Sequence, residues 1–151
     1  MHAIPLILLA VTGYCSAKAI SGGENEERLK IRLSPSAQEI SPGELLIPFK
    51  DCGYIFCEAP DVATDAETHL WDYHVDWEMP PMAEKDPKVF VLANDFQMPR
   101  SYLVYQAFNP NFTGQYKCIL NFRSKPIAST TFNISVDEDK VSTKNCISNT
   151  P

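Results

Sequence analysis

The chain of 151 residues carries 13 basic against 19 acidic side chains, a formal charge of −6, and 12 prolines. An acidic balance gives nucleic acids and anionic membranes no electrostatic term with which to bind it. The prolines, with no sustained 3.6-residue periodicity, exclude a helical domain.

The first eleven residues, Met1-His-Ala-Ile-Pro-Leu-Ile-Leu-Leu-Ala-Val11, form an apolar run too short to cross a bilayer. Ala17-Lys-Ala19 follows with the small-x-small pattern of a signal-peptidase site. This predicts a secretory signal over residues 1–19. No comparable apolar run follows and the stretch Cys146–Pro151 is polar, so neither a membrane anchor nor a lipid-anchor signal is expected. The expectation is a freely secreted, extracellular product without membrane insertion. Its size fits one domain with a real core. Cys15 leaves with the signal, so Cys52, Cys57, Cys118 and Cys146 remain. An even number in a small secreted chain predicts two disulfides. The sequons Asn111-Phe-Thr113 and Asn133-Ile-Ser135 predict a glycoprotein with Asn111 and Asn133 as acceptors.

Residues 20–28 are glycine-rich and charged, as in a flexible leader. Leu29–Leu33 alternates apolar and basic residues and predicts a short strand, and Ser41-Pro-Gly-Glu44 a turn. The stretch Leu45–Ala59 is expected to be one long strand. Stepping back by twos from Cys57 meets Ile55, Gly53, Asp51, Phe49, Ile47 and Leu45, whereas stepping back from Cys52 meets Lys50, Pro48 and Leu46. Period two thus points Cys57 inward and puts Cys52 on the other face or in a bulge. Pro60–Leu70 is polar and loop-like. Tyr73–Trp77 alternates again and ends at Pro80-Pro81. Further strands are expected over Lys88–Ala93, Ser101–Phe108, Gln115–Phe122 and Ser129–Val136, giving seven or eight in all, the number a sandwich needs.

For chemistry the sequence offers little. It has no nucleophile elbow, phosphate loop or zincin helix, so neither an enzyme nor a catalytic residue is expected. His69, Asp72, His74 and Asp76 lack a recognisable ligand spacing, so no metal and no cofactor are expected.

The run Leu103-Val-Tyr-Gln-Ala-Phe-Asn-Pro-Asn-Phe-Thr-Gly-Gln-Tyr-Lys-Cys118 places Tyr116 two residues before Cys118, the spacing of a tyrosine corner. With Cys57 and Trp77 it resembles the cysteine–tryptophan–cysteine skeleton of the immunoglobulin superfamily, over residues 29–138. The resemblance implies an all-β immunoglobulin-like sandwich, a core disulfide Cys57–Cys118, and Trp77 and Tyr116 in the core. Trp77 is preferred to Trp71 as the core tryptophan because Tyr73 and Val75 supply its alternating strand. Phe112 stands where the family usually has an acid paired with a basic residue such as Arg100. The remaining cysteines would pair as Cys52–Cys146, tying residues 139–151 back as a tail. The chain is similar to small secreted single-immunoglobulin-domain proteins of the invertebrate synapse-organiser type. That similarity implies protein binding and cell adhesion, with extracellular or cell-surface proteins as partners. Partner contacts are expected at the loop Asp61–Trp71, the segment Met79–Lys88 or the tail, because the outward positions His74, Asp76, Glu78, Lys117, Ile119, Asn121, Asn133 and Ser135 are mostly polar, with one aliphatic and no aromatic anchor, and a glycan on Asn133 would obstruct them. Phe49-Lys-Asp-Cys-Gly53 is similar to the opening of a secreted lipid-binding family, and the alternative function is a β-sandwich lipid carrier.

Overall fold

The computed structural model describes residues 29–64, 72–92 and 99–146. The signal, the leader, Trp71 and His69 lie outside them. The described chain forms strands β1 (Lys30–Leu33), β2 (Gln38–Ser41), β3 (Glu44–Phe49), β4 (Gly53–Glu58) and β5 (Tyr73–Glu78). After them come a short helix α1 (Pro81–Lys85) and strands β6 (Val89–Leu92), β7 (Arg100–Tyr105), β8 (Gly114–Phe122) and β9 (Lys125–Val141).

The strands make two sheets, ordered β1-β4-β7-β6 and β2-β3-β9-β8-β5. Within them β3 runs parallel to β9 and every other pairing is antiparallel. Cys57 on β4 and Cys118 on β8 join the two sheets, with Cα atoms 6.6 Å apart and both residues fully buried. Trp77 lies opposite Cys118 in the β5–β8 register. This is an immunoglobulin-like β-sandwich.

The expected single strand Leu45–Ala59 is in fact two, in different sheets. Lys50 adopts the left-handed conformation at φ 61°, and Asp51 donates its N–H to the Pro48 carbonyl, closing a bend that carries the chain from β3 to β4. Leu45, Ile47, Ile55 and Cys57 are nevertheless all buried, since each short strand alternates against the same core. Cys52 sits in the bend itself rather than on the outer face of a strand. Gly53 follows it because a Cβ there would lie 2.7 Å from the Tyr105 hydroxyl. Two further boundaries differ. Arg123 and Ser124, both with positive φ, form a two-residue hairpin turn, so β9 begins at Lys125. It continues to Val141, three residues into the expected tail. Met79–Lys88 includes α1, which Pro81 starts as its first residue.

The core consists of two contiguous clusters bridged by Trp77 and Ile31. The larger is aromatic, with Tyr105, Phe108, Phe112, Tyr116 and Phe132 among its members, and the smaller surrounds the Cys57–Cys118 bridge. Phe112 is fully buried and meets Phe108 edge-on, with ring centroids 5.7 Å apart. Burying such a ring is worth roughly 1.5–3 kcal/mol, whereas an exposed ion pair is worth about 1 kcal/mol or less. At this position Phe112 therefore contributes more through core packing than an exposed ion pair would. Arg100 turns outward instead, its guanidinium 5.8 Å from the centre of the Phe56 ring.

Candidate functional site

The corner that closes the sandwich is built from the 3-10 turn Pro110–Phe112 and the start of β8. Asn109 accepts a hydrogen bond from the Asn111 N–H through its side chain, and Tyr116 donates its hydroxyl to the Phe112 carbonyl at 2.6 Å. Burial raises the Tyr116 pKa well above its ordinary value, and it pushes that of Tyr105 up to about 12. For Tyr105 the hydrogen bond with Ser34, 2.9 Å long, opposes burial and the charge of Asp51 adds to it. A pKa raised on folding adds stability that is complete below pH 10 and disappears as the pH climbs through the folded value. The protein should therefore lose stability between about pH 10 and pH 12. Tyr116→Phe should cost about 1–3 kcal/mol at neutral pH, because the Phe112 carbonyl loses its partner, and should flatten the alkaline loss. Thermal melts from pH 7 to pH 12 check both.

Near this corner Asp51, whose carbonyl accepts the Phe108 N–H at 2.8 Å, is fully buried. Its carboxylate accepts from Ser36 at 2.5 Å and from Ser142 at 2.8 Å, and Lys144 Nζ lies 3.2 Å away. Lys144 Nζ also donates to Ser36 Oγ. Next to this cluster Cys52 pairs with Cys146, their Cα atoms 5.6 Å apart. A buried carboxylate needs such partners, so the tail is held by a charge as well as by a bridge. Tyr105, Asp51 and Glu58, which Arg32 pairs at 2.9 Å, are buried ionisable groups engaged in holding the fold.

On the outer face of the second sheet Asn121 donates to Asp76 at 2.8 Å, His74 Nε2 lies 3.3 Å from the same carboxylate, and Lys117 pairs with Glu78 at 3.4 Å. Asp72 is paired with Arg123 at 3.1 Å. Among the described residues no group of three His, Cys, Asp or Glu side chains is placed to hold a metal ion. Asn133 projects from the same face and donates to Glu44 Oε1 at 2.8 Å, while Asn111 stands exposed at the corner. The loop Asp61–Trp71 is described only as far as the 3-10 turn Pro60–Thr64. On α1, Met82 is exposed.

The outer face of the first sheet was not anticipated as a surface. Registers across β1, β4, β7 and β6 align Arg32, Phe56, Tyr102 and Leu92 in one row and Tyr54, Val104 and Phe90 in the next. The Phe56 and Tyr102 rings stack at 4.6 Å, and Tyr54 meets Tyr102 edge-on at 5.8 Å. Lys30, Glu58 and Arg100 form the row beside them. The signal was present in the sequence. Gly53-Tyr-Ile-Phe-Cys57, Val89-Phe-Val-Leu92 and Tyr102-Leu-Val-Tyr105 are continuous apolar runs, the pattern of strands covered on both faces.

No family model matches the sequence, and a search of curated proteins finds no relative. Similar solved structures include the Dscam1 Ig7 domain, isoform 5, with 14% identity over 73% of this chain and 99% of that one, at a TM-score of 0.44. A chain from the structure of Dpr2 Ig1–Ig2 in complex with DIP-Theta Ig1–Ig3 is 15% identical over 74% of this chain, at a TM-score of 0.46. This chain spans half of that chain's length. The M1 domain from titin is 13% identical over 61% of this chain and 84% of that one, at a TM-score of 0.43. The fold itself rests on strand order and the inter-sheet bridge. No described helix is long and apolar enough to cross a membrane.

Proposed function

We propose that the protein is a secreted, extracellular protein-binding module that acts in cell–cell recognition, as a ligand or scaffold for cell-surface receptors, with synapses among its settings. The observation that carries this reading is the immunoglobulin-like sandwich closed by two disulfides, one through the core and one at the tail. Disulfides of this kind belong to oxidising compartments. Asn111 and Asn133 are proposed to carry glycans, which agrees with passage through the secretory route.

Filled inter-sheet space favours protein binding over the lipid-carrier alternative. Tyr105 and Phe108 meet at 5.2 Å, Trp77 and Phe132 at 6.1 Å, and Tyr116 and Phe132 at 6.2 Å, where a carrier would keep room for its cargo. The buried ionisable groups Asp51, Glu58 and Tyr105 serve the fold, which leaves the surface as the place for function.

Binding of the full chain, purified from the medium of secreting cells, to an array of purified cell-surface ectodomains tests this reading. Saturable binding to at least one ectodomain is expected, with organic extraction yielding no stoichiometric lipid. Stoichiometric lipid with no ectodomain bound would instead establish the carrier.

A further inference from the structure

The six apolar side chains Tyr54, Phe56, Phe90, Leu92, Tyr102 and Val104 cover two registered rows on the outside of the first sheet. Tyr54 and Leu92 remain 41% and 42% exposed. Phe56 is only 7% exposed, roofed by Tyr102 and by the Arg100 guanidinium. A sheet face turned to water normally alternates to polar residues, as the outer face of the second sheet does with His74, Asp76, Glu78 and Lys117. Contiguous apolar rows with a polar border are the mark of an interaction surface. Tyrosine and arginine, which dominate the energetic centres of interfaces, both occur here. Both sequons lie elsewhere: Asn133 is on the second sheet and Asn111 at the corner. Glycans at those positions would leave this face open.

The border identifies the kind of occupant. Lys30, Arg32 and Arg100 line one side of the rows, and the one carboxylate among the outward positions of these four strands, Glu58, is 5% exposed and held by Arg32 at 2.9 Å. The face is therefore locally cationic on a chain whose formal charge is −6. At physiological salt charges act over only about 8 Å, so the local sign governs what docks. A second copy would bring the same cations and, among the described outward positions of these strands, only Glu58, already held by Arg32.

We propose that the outer face of β1-β4-β7-β6 is the docking site for a different protein, one that presents apolar side chains bordered by carboxylates. The proposal rests on the protein-binding function argued above and names the surface and the partner chemistry within it. A polyanionic glycan would satisfy the cations but leave the exposed Tyr54 and Leu92 in water, so a protein surface fits better.

The test compares four secreted proteins on the ectodomain array: wild type, Tyr54→Glu/Leu92→Glu, Lys30→Glu, and the control Asp76→Lys on the opposite sheet. Tyr54 and Leu92 are exposed enough that their variant should keep both disulfides and its melting temperature, which peptide mapping and a thermal melt verify. The double variant should lose at least about tenfold in affinity, as expected for loss of central anchors. Lys30→Glu should weaken binding about three- to tenfold and reduce its salt dependence, and Asp76→Lys should bind as wild type does. Ectodomain binding that survives Tyr54→Glu/Leu92→Glu overturns this face while leaving the protein-binding function intact. Binding indifferent to both salt and Lys30→Glu overturns the acid-bordered occupant. Self-association seen by sedimentation and lost in the double variant, or heparan sulfate binding in place of any ectodomain, also overturns it. Absence of any ectodomain binding by the wild type overturns both this proposal and the function on which it rests.

Discussion

Cells expressing Cys118→Ala should release little or no folded protein. The Cys57–Cys118 bridge spans 61 residues of sequence, and in the chain-entropy model a loop of that length contributes about 4 kcal/mol. Stabilities of whole domains are only about 5–15 kcal/mol, so this single loss removes much of the margin. Both sulfurs are also fully buried, so the substitution leaves a cavity and an unpaired Cys57 thiol between the sheets. The Cys52–Cys146 bridge closes a longer loop of 94 residues and has a slightly larger entropic term by the same formula. Its removal should still be milder. With Cys52→Ala/Cys146→Ala the core bridge is untouched, and Ser142 and Lys144 still hold the segment beyond Val141 through Asp51. Secretion yield and thermal melts of the two variants decide the order, and equal losses would mean that the tail is as integral as the core.

Trp77→Ala should destabilise the domain by about 3–5 kcal/mol, the usual cost of deleting a large core aromatic. The indole packs against both core clusters, meets Phe132 edge-on at 6.1 Å and donates Nε1–H to Ser101 Oγ at 3.1 Å. Its deletion therefore opens a cavity at the junction of the clusters and removes a hydrogen-bond donor from a buried hydroxyl. Trp71→Ala should cost much less. Denaturant titration of the two variants, with matched slopes, measures the difference, and the reverse order would mean that β5 does not carry the core tryptophan.

How far the sequence could be read depended on the range of the interactions involved. Tyr116 two residues before Cys118 and the alternation through Val75 and Trp77 are local patterns, and they sufficed for the corner, β5 and the inter-sheet bridge. The division of Leu45–Cys57 was hidden because alternation reports only which side chains face the core. Two strands in different sheets that share one core show the same period. The positive φ at Lys50 that separates them falls on a residue with no special turn chemistry of its own. The attachment of the tail to Asp51 joins groups 91 residues apart in the case of Ser142, beyond any local pattern. The apolar outer face was visible as continuous apolar runs in β4, β6 and β7. It went unread because searching those runs for inward residues uses only every second position.

Mass spectrometry of non-reduced peptides from protein recovered in the medium of secreting cells reads both bridges and the processed amino terminus together. Two linked pairs are expected, Cys57 with Cys118 and Cys52 with Cys146, with no free thiol and a new amino terminus after Ala19. A Cys52–Cys118 peptide, or four free thiols in protein retained inside the cell, would contradict this expectation.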